Sequence, residues 1–167
     1  MYRYLAVDSG MRYGTCVKLD NSAAFILYAL AVIAVTERGI LDAYTESGIT
    51  NMSKDDFVDY VKSVEDVMFE KYADDVEVCV VDGISKPPCR RVIHLSKSPI
   101  ESAVVTPYGF IRGITKEDKI ENIIALNNLA HRYANEYAAM LWHGLQRRYT
   151  CVVPYGSHPA LEHSLFV

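Results

Sequence analysis

The chain has 167 residues, of which 50% are hydrophobic and 23% are charged. This length and composition are typical of one globular domain with a hydrophobic core, and they exclude a disordered or fibrous protein. The formal net charge of −4 argues against a protein that coats nucleic acid through bulk positive charge. Any contact with nucleic acid must therefore come from local basic patches.

The cysteines and the N-terminus predict an intracellular location, such as the cytoplasm. The four cysteines form neither a C-x-x-C pair nor a secreted disulfide framework, so we expect reduced thiols. They are Cys16, Cys79, Cys89 and Cys151. The chain reaches Asp8 too soon for a signal peptide. The apolar run at residues 23–35 is shorter than the ~20 residues that span a bilayer, so we expect no membrane partner.

The first elements in the chain are predicted to be strands. Residues 3–8 form an apolar strand ending at Asp8-Ser9-Gly10, where Gly10 permits a tight turn, and residues 13–19 alternate like a second strand. Together they predict an antiparallel hairpin.

Further sheet and a helix follow. Residues 27–35 and 40–45 indicate strands joined by a turn at Gly39, although a buried helical turn before the strand also fits the first run. Ser53 can cap a helix that continues at helical spacing to about Tyr72.

Another strand, residues 76–81, ends in Asp82-Gly83, which repeats the strand-acid-glycine pattern at Asp8. The remaining predicted elements are a loop with at most a short helix at 85–99, a strand at 103–106, a helix from Thr115 through Ile124 and a helix at 134–147. We assign residues 1–147 to the domain and 148–167 to a C-terminal tail, with an edge strand possible at 151–153.

Strands that alternate with helices predict an α/β fold, and the acids that end two of these strands suggest one site at a sheet edge. Asp8 and Asp82 are the candidate ligands. Carboxylate oxygens suit hard divalent cations such as Mg²⁺ or Mn²⁺. Each Asp before a glycine can also be a simple turn former.

The segment Leu5-Ala6-Val7-Asp8-Ser9-Gly10-Met11-Arg12-Tyr13-Gly14 resembles the first strand of the RuvC-like Holliday-junction resolvases. Three later segments are similar to that family in the same order: residues 78–82 to its fourth strand, 112–120 to the approach to its penultimate helix, and 135–143 to its last helix. The resemblance spans roughly residues 3–147. It implies a ribonuclease H-like fold, with a mixed sheet flanked by helices.

The resemblance also implies two-metal hydrolysis of a phosphodiester. Asp8 would bridge the ions, Asp82 and Glu136 would complete their shells, and Lys119 would neutralise charge on the phosphate. The implied substrate is branched DNA cut by a homodimer. The implied nucleic-acid contacts are Lys86, Arg90, Arg91, Arg112 and Lys116.

This sequence departs from the family at its acids. The second acid is usually glutamate rather than Asp82, and Glu136 lacks a partner acid because Tyr133 precedes it. The alternative is therefore a non-catalytic ribonuclease H-like module that binds DNA or serves a structural role. An actin-like ATPase ranks third because the chain is too short for two lobes. His131 and His143 are expected at the core edge or surface, not as ligands.

Overall fold

A computed structural model of the protein describes residues 1–18, 23–83, 85–151 and 155–156. Its strands are β1 Tyr2–Lys18, β2 Ala24–Thr36, β3 Gly39–Thr50, β4 Val76–Asp82, β5 Arg91–Ser96, β6 Val104–Thr106, β7 Gly109–Arg112, β8 Tyr149–Cys151 and β9 Tyr155–Gly156. Its α-helices are α1 Lys54–Tyr72 and α2 Ile120–Gln146, and a short 3₁₀ helix spans Ala73–Asp75.

The first three strands form an antiparallel meander. Every residue of β2 from 27 to 35 is buried, which explains its continuous apolar run. The turn into β3 falls at Glu37-Arg38, and Gly39 then adopts a φ of +115°, which a residue with a Cβ rarely adopts. The prediction of two strands joined near Gly39 is thus confirmed.

The predicted hairpin at residues 3–19 is wrong, because β1 is one continuous strand. It pairs along its length with β2, from Leu5 opposite Thr36 to Val17 opposite Ala24. This long partner keeps Asp8-Ser9-Gly10 extended, so that Gly10 occupies a mid-strand position rather than a turn.

The other side of β1 pairs with β4, and the two strands are parallel. The full order is β3-β2-β1-β4-β5-β7-β6, with β8 and β9 pairing on the second half of β1. The predicted loop at 85–99 contains β5, because residues 91–96 find partners on both β4 and β7. The short strand predicted at 103–106 is confirmed as β6.

One helix covers each face of the sheet. α1 begins after Ser53, whose hydroxyl accepts a hydrogen bond from the Asp56 amide as predicted. It packs Phe57, Val61 and Phe69 on one face. The opposite face packs against α2.

The two helices predicted between residues 115 and 147 are one helix, α2. The buried positions 123, 126, 130, 134 and 138 continue at helical spacing through the predicted gap, and no glycine or proline interrupts them. Thr115 does not cap this helix. Its backbone amide instead donates to the Asp118 carboxylate within a turn that precedes α2.

The prediction of four reduced thiols differs from the structure, which places the cysteines in two pairs at disulfide distance. Cys16 pairs with Cys151, joining β1 to β8, and Cys79 pairs with Cys89, joining β4 to the loop before β5. In the predicted tail, β8 lies at 149–151, while residues 152–154 and 157–167 are outside the described residues. Within the described part of the chain, no helix is long and apolar enough to cross a membrane.

Candidate active site

Asp8 and Asp82 lie where β1 and β4 separate. The parallel pairing of these strands runs from Tyr2 opposite Val76 to Ala6 opposite Val80. Each carboxylate lies two residues beyond the last pair, so Asp8 and Asp82 stand side by side in the same register. Both border one cavity of about 430 Å³. The two acids that the sequence suggested for one site therefore lie on adjacent strands and face one cavity.

Asp8 is held by a histidine from α2. Its Oδ2 atom lies 2.6 Å from Nδ1 of His131, while its Oδ1 atom accepts the Ser9 amide at 2.8 Å. The hydrogen bond with Asp8 raises the pKa of His131 above its ordinary value, although burial opposes this effect. The contact therefore favours the charged imidazolium form of His131 beside the Asp8 carboxylate.

Gly10 allows α2 to come close enough for this contact. A Cβ atom at Gly10 would lie 2.2 Å from the carbonyl oxygen of Ala134, so a side chain there would displace the helix. His131 lies about one turn earlier on the same helix. The glycine therefore fixes the distance between the Asp8 strand and the His131 helix.

Glu65 reaches the cavity from α1, on the other face of the sheet. Its carboxyl group lies near Ser9, beside Asp8. Burial raises the pKa of Glu65 to about 8, and repulsion from Asp8, Asp66 and Asp82 adds to the shift, while the interaction with Ser9 lowers this pKa. Glu65 is thus largely protonated at neutral pH.

Asp82 shows the same conflict in milder form. Burial is the largest cause that raises the pKa of Asp82, and repulsion from the nearby Asp8 is the second. His131 and Lys97 lower the pKa of Asp82. Three carboxyl groups thus face each other with few donors to satisfy them. Carboxyl groups gathered in a cleft, with pKa values raised by burial and by one another, are typical of functional sites rather than of stable packing.

Two other predicted groups lie away from this cavity. Glu136 is on the exposed side of α2, where its Oε1 atom is 3.8 Å from Nε of Arg132. Lys119 immediately precedes α2, and the helical rise puts it about 18 Å from His131 along the axis. The structure does not bring Glu136 or Lys119 to Asp8 and Asp82. Two lysines that were not predicted lie nearer: Lys62 lines the cavity, and Lys97 lowers the pKa of Asp82.

The predicted nucleic-acid contacts fall into two groups. Three of them are exposed: Lys86, Arg90 and Lys116. The other two are occupied within the chain. Arg91 binds the Asp118 carboxylate through both terminal nitrogens, at 2.6 and 3.0 Å, and Arg112 donates to the Glu101 carbonyl at 3.4 Å.

Sequence reasoning missed Glu65 and His131 as site residues. Glu65 had a usable signal, because it interrupts the apolar stripe of α1 four residues from both Val61 and Phe69. His131 had none, since it reaches Asp8 only through the close packing at Gly10. Comparisons of the chain with protein-family models, with curated proteins and with solved structures find no match.

Proposed function

We propose that the protein is a divalent-metal-dependent endonuclease that hydrolyses phosphodiesters of branched DNA such as Holliday junctions. The observation that carries this proposal is the convergence of Asp8 and Asp82, from adjacent parallel strands, on one cavity. We also propose that the mixed sheet with a helix on each face is a ribonuclease H-like fold, since its first and fourth strands bear the acids.

The donor set suits a hard cation that binds oxygen ligands. Among the described residues, no group of three or more His, Cys, Asp and Glu side chains could hold a metal ion. Magnesium commonly uses one or two carboxylates and completes its shell with water and substrate phosphates. Asp8 and Asp82 would therefore hold Mg²⁺ or Mn²⁺. When bound, the cation supplies an activated water and stabilises the leaving oxygen.

The other residues orient and balance this pair. His131 fixes the rotamer of Asp8 through its 2.6 Å contact. Glu65 holds a proton below about pH 8, which limits the negative charge that a phosphate would meet. Lys97 lies close enough to lower the pKa of both Asp82 and His131, so it can attract the phosphate electrostatically.

Exposed basic residues near the site would contact the DNA backbone. Lys86 borders a groove that adjoins the acid cavity. The groove and the cavity share three lining residues, Lys62, Asp66 and Ser85. Such phosphate contacts position the substrate without reading its sequence. A homodimer would place two such sites on a two-fold symmetric junction.

A second candidate function is a non-catalytic ribonuclease H-like module that binds DNA. The position of Glu136 away from the cavity favours it, because a third acidic ligand from α2 is missing there. Such a module would bind junctions without hydrolysing them, with or without Mg²⁺.

The deciding experiment is cleavage of four-way, flap and duplex DNA by the wild type and by Asp8→Asn, with and without Mg²⁺. The amide keeps the size of the side chain but removes the charge that binds the cation. We expect Asp8→Asn to fold, to bind junctions at least as tightly as the wild type, and to lose about 1,000-fold or more of the Mg²⁺-dependent cleavage.

Asp74→Asn is the matched control, since Asp74 is an exposed acid in the 3₁₀ helix and does not line the cavity. It should cleave like the wild type. Wild-type protein that binds junctions and cleaves nothing would favour the non-catalytic module. Near-normal cleavage by Asp8→Asn would show that the hydrolytic site lies elsewhere.

A further inference from the structure

A second cavity of about 410 Å³ adjoins the acid cavity. The two cavities share Asp82 and His131, so a ligand in the second cavity lies beside the acid cavity. The far wall comes from β5, from the β6–β7 hairpin and from the first half of α2. The volume lies within the range that small ligands occupy in proteins.

Tyr108 stands at this cavity with 62% of its surface exposed. It lies in the turn between β6 and β7, where its amide donates to Oγ1 of Thr106 at 3.2 Å. The Thr106 hydroxyl in turn donates to the Gly109 carbonyl at 2.9 Å. An exposed aromatic ring is therefore carried on a short hydrogen-bonded turn at the mouth of this cavity.

Gly109 fixes the same turn against β5. It adopts a φ of +133°, and a Cβ atom there would lie 2.6 Å from the Ser96 carbonyl oxygen. Any other residue would push the hairpin away from the sheet. The backbone position of Tyr108 beside the cavity is thus set by the packing of this turn against β5.

The remaining walls carry polar groups of complementary kinds. Asn127 and Asn128 contribute amides, each able to donate and to accept hydrogen bonds, as the edges of nucleobases require. Lys97 is exposed and lies on the side shared with Asp82. An aromatic ring, paired amides and a lysine beside an acid site match the parts of one nucleotide.

We propose that this cavity binds a single unpaired nucleotide of the DNA strand, with its base stacked on Tyr108 and its phosphate drawn by Lys97 toward Asp8 and Asp82. The inference rests on the proposed nuclease function and specifies its substrate as a strand with an unstacked base beside the scissile phosphate. Stacking on an aromatic side chain is tolerant of base identity. The site would therefore select for unpaired structure rather than for sequence.

The test uses branched DNA with 2-aminopurine at one unpaired position, in EDTA so that no cleavage occurs. Stacking should quench the 2-aminopurine fluorescence when the wild type binds. We expect Tyr108→Ala to lose the quenching and to bind this DNA about tenfold more weakly, while Tyr108→Phe retains both. Binding of a fully paired duplex should not change in either variant.

Tyr44→Ala is the matched control, because Tyr44 is an exposed tyrosine on β3 at the opposite edge of the sheet. It should leave quenching and affinity unchanged. Quenching and affinity that survive in Tyr108→Ala would overturn the proposed nucleotide site. Tyr108-dependent quenching by a wild type that cleaves nothing with Mg²⁺ would support this site and reject the hydrolysis. A protein that binds no DNA would overturn both.

Discussion

Two clusters that contain acidic side chains lie beside β1. Hydrogen-bond donors surround the carboxylate of the first cluster, whereas few donors face the carboxyl groups of the second. Near the start of β1, the Asp118 carboxylate accepts hydrogen bonds from Arg91, from the Tyr4 hydroxyl at 2.7 Å and from Thr115. Burial alone would raise the pKa of Asp118, but these donors hold it well below its usual range. This carboxylate is fully ionised and fully bonded, as expected of a structural group.

The second cluster, four residues further along β1, contains Asp8, Asp82 and Glu65. Here burial and mutual repulsion raise the pKa of Asp82 and Glu65, and among these acids His131 contacts Asp8, at 2.6 Å in the described hydrogen bonds. The comparison separates acids that stabilise the fold from acids that work against it. Destabilising charge that a fold retains in a cleft is a physical reason to assign function there.

The largest effect on stability should come from removing the ion pair of the first cluster, between Asp118 and Arg91. Asp118→Asn leaves the partly buried guanidinium of Arg91 without its anion, so we expect a loss of about 3 kcal/mol in the free energy of unfolding. Arg91→Glu should be at least as damaging, because it places a second carboxylate beside Asp118. Urea denaturation at pH 7 measures both.

The pH dependence gives a further check on Asp118. Its folded pKa is depressed, so its contribution is present above the unfolded value near 3.8 and is lost as the pH falls below it. Asp118→Asn should therefore show a shallower acid destabilisation than the wild type. A variant as stable as the wild type at pH 7, matching the exposed-acid control Asp74→Asn, would show that the Asp118 cluster does not stabilise the fold.

A substitution in the second cluster should stabilise the fold rather than destabilise it. The folded pKa of Glu65 is raised to about 8, so the wild type is most stable with Glu65 protonated and loses stability as the pH rises from about 4.5 toward 8. Glu65→Gln removes this ionisation. We expect the variant to be about 2 kcal/mol more stable than the wild type at pH 9 in EDTA, with little difference at pH 5.

Glu70→Gln is the control for this experiment, because Glu70 is an exposed acid on the same helix. It should change stability little at either pH. Adding Mg²⁺ should reduce the gain in Glu65→Gln, since a cation relieves the same repulsion in the wild type. Equal stabilities of wild type and Glu65→Gln at pH 9 would mean that burial and repulsion do not raise the pKa of Glu65 in the folded protein.

Sequence patterns predicted the elements whose signals are local. The Ser53 cap, the apolar stripe of α1 and the β-branched run of β4 each depend on neighbours within a few residues. The continuous β1 was missed because its extended path at Gly10 depends on β2, a partner far along the chain. β5 was missed similarly, since prolines nearby obscured residues that two other strands pair with.

The candidate site divides along the same line. Asp8 and Asp82 were predicted because each follows a short apolar run in the sequence, which is a local pattern. His131 and Glu65 arrive from helices on opposite faces of the sheet, so their convergence depends on tertiary packing that no short motif encodes. Among the basic residues, the sequence predicted too many nucleic-acid contacts. A cluster of charges in the sequence does not reveal which of its members, such as Arg91, are already paired within the chain.

Arg90 and Arg91 provide the smallest but most specific test of this distinction. They are adjacent in sequence, yet Arg90 is exposed while Arg91 is bound to Asp118. We expect Arg90→Glu to keep the wild-type unfolding midpoint and to weaken junction binding by about tenfold at low salt, because the loss of a phosphate contact is electrostatic. Fluorescence anisotropy at two salt concentrations measures junction binding, and the difference in affinity between variant and wild type should shrink at the higher concentration.

Arg38→Glu, at the exposed β2–β3 turn, is the control and should bind normally. If Arg90→Glu binds junctions with wild-type affinity and salt dependence, the loop before β5 does not contact DNA, and Lys86 and Lys97 become the remaining candidates on that side of the acid cavity.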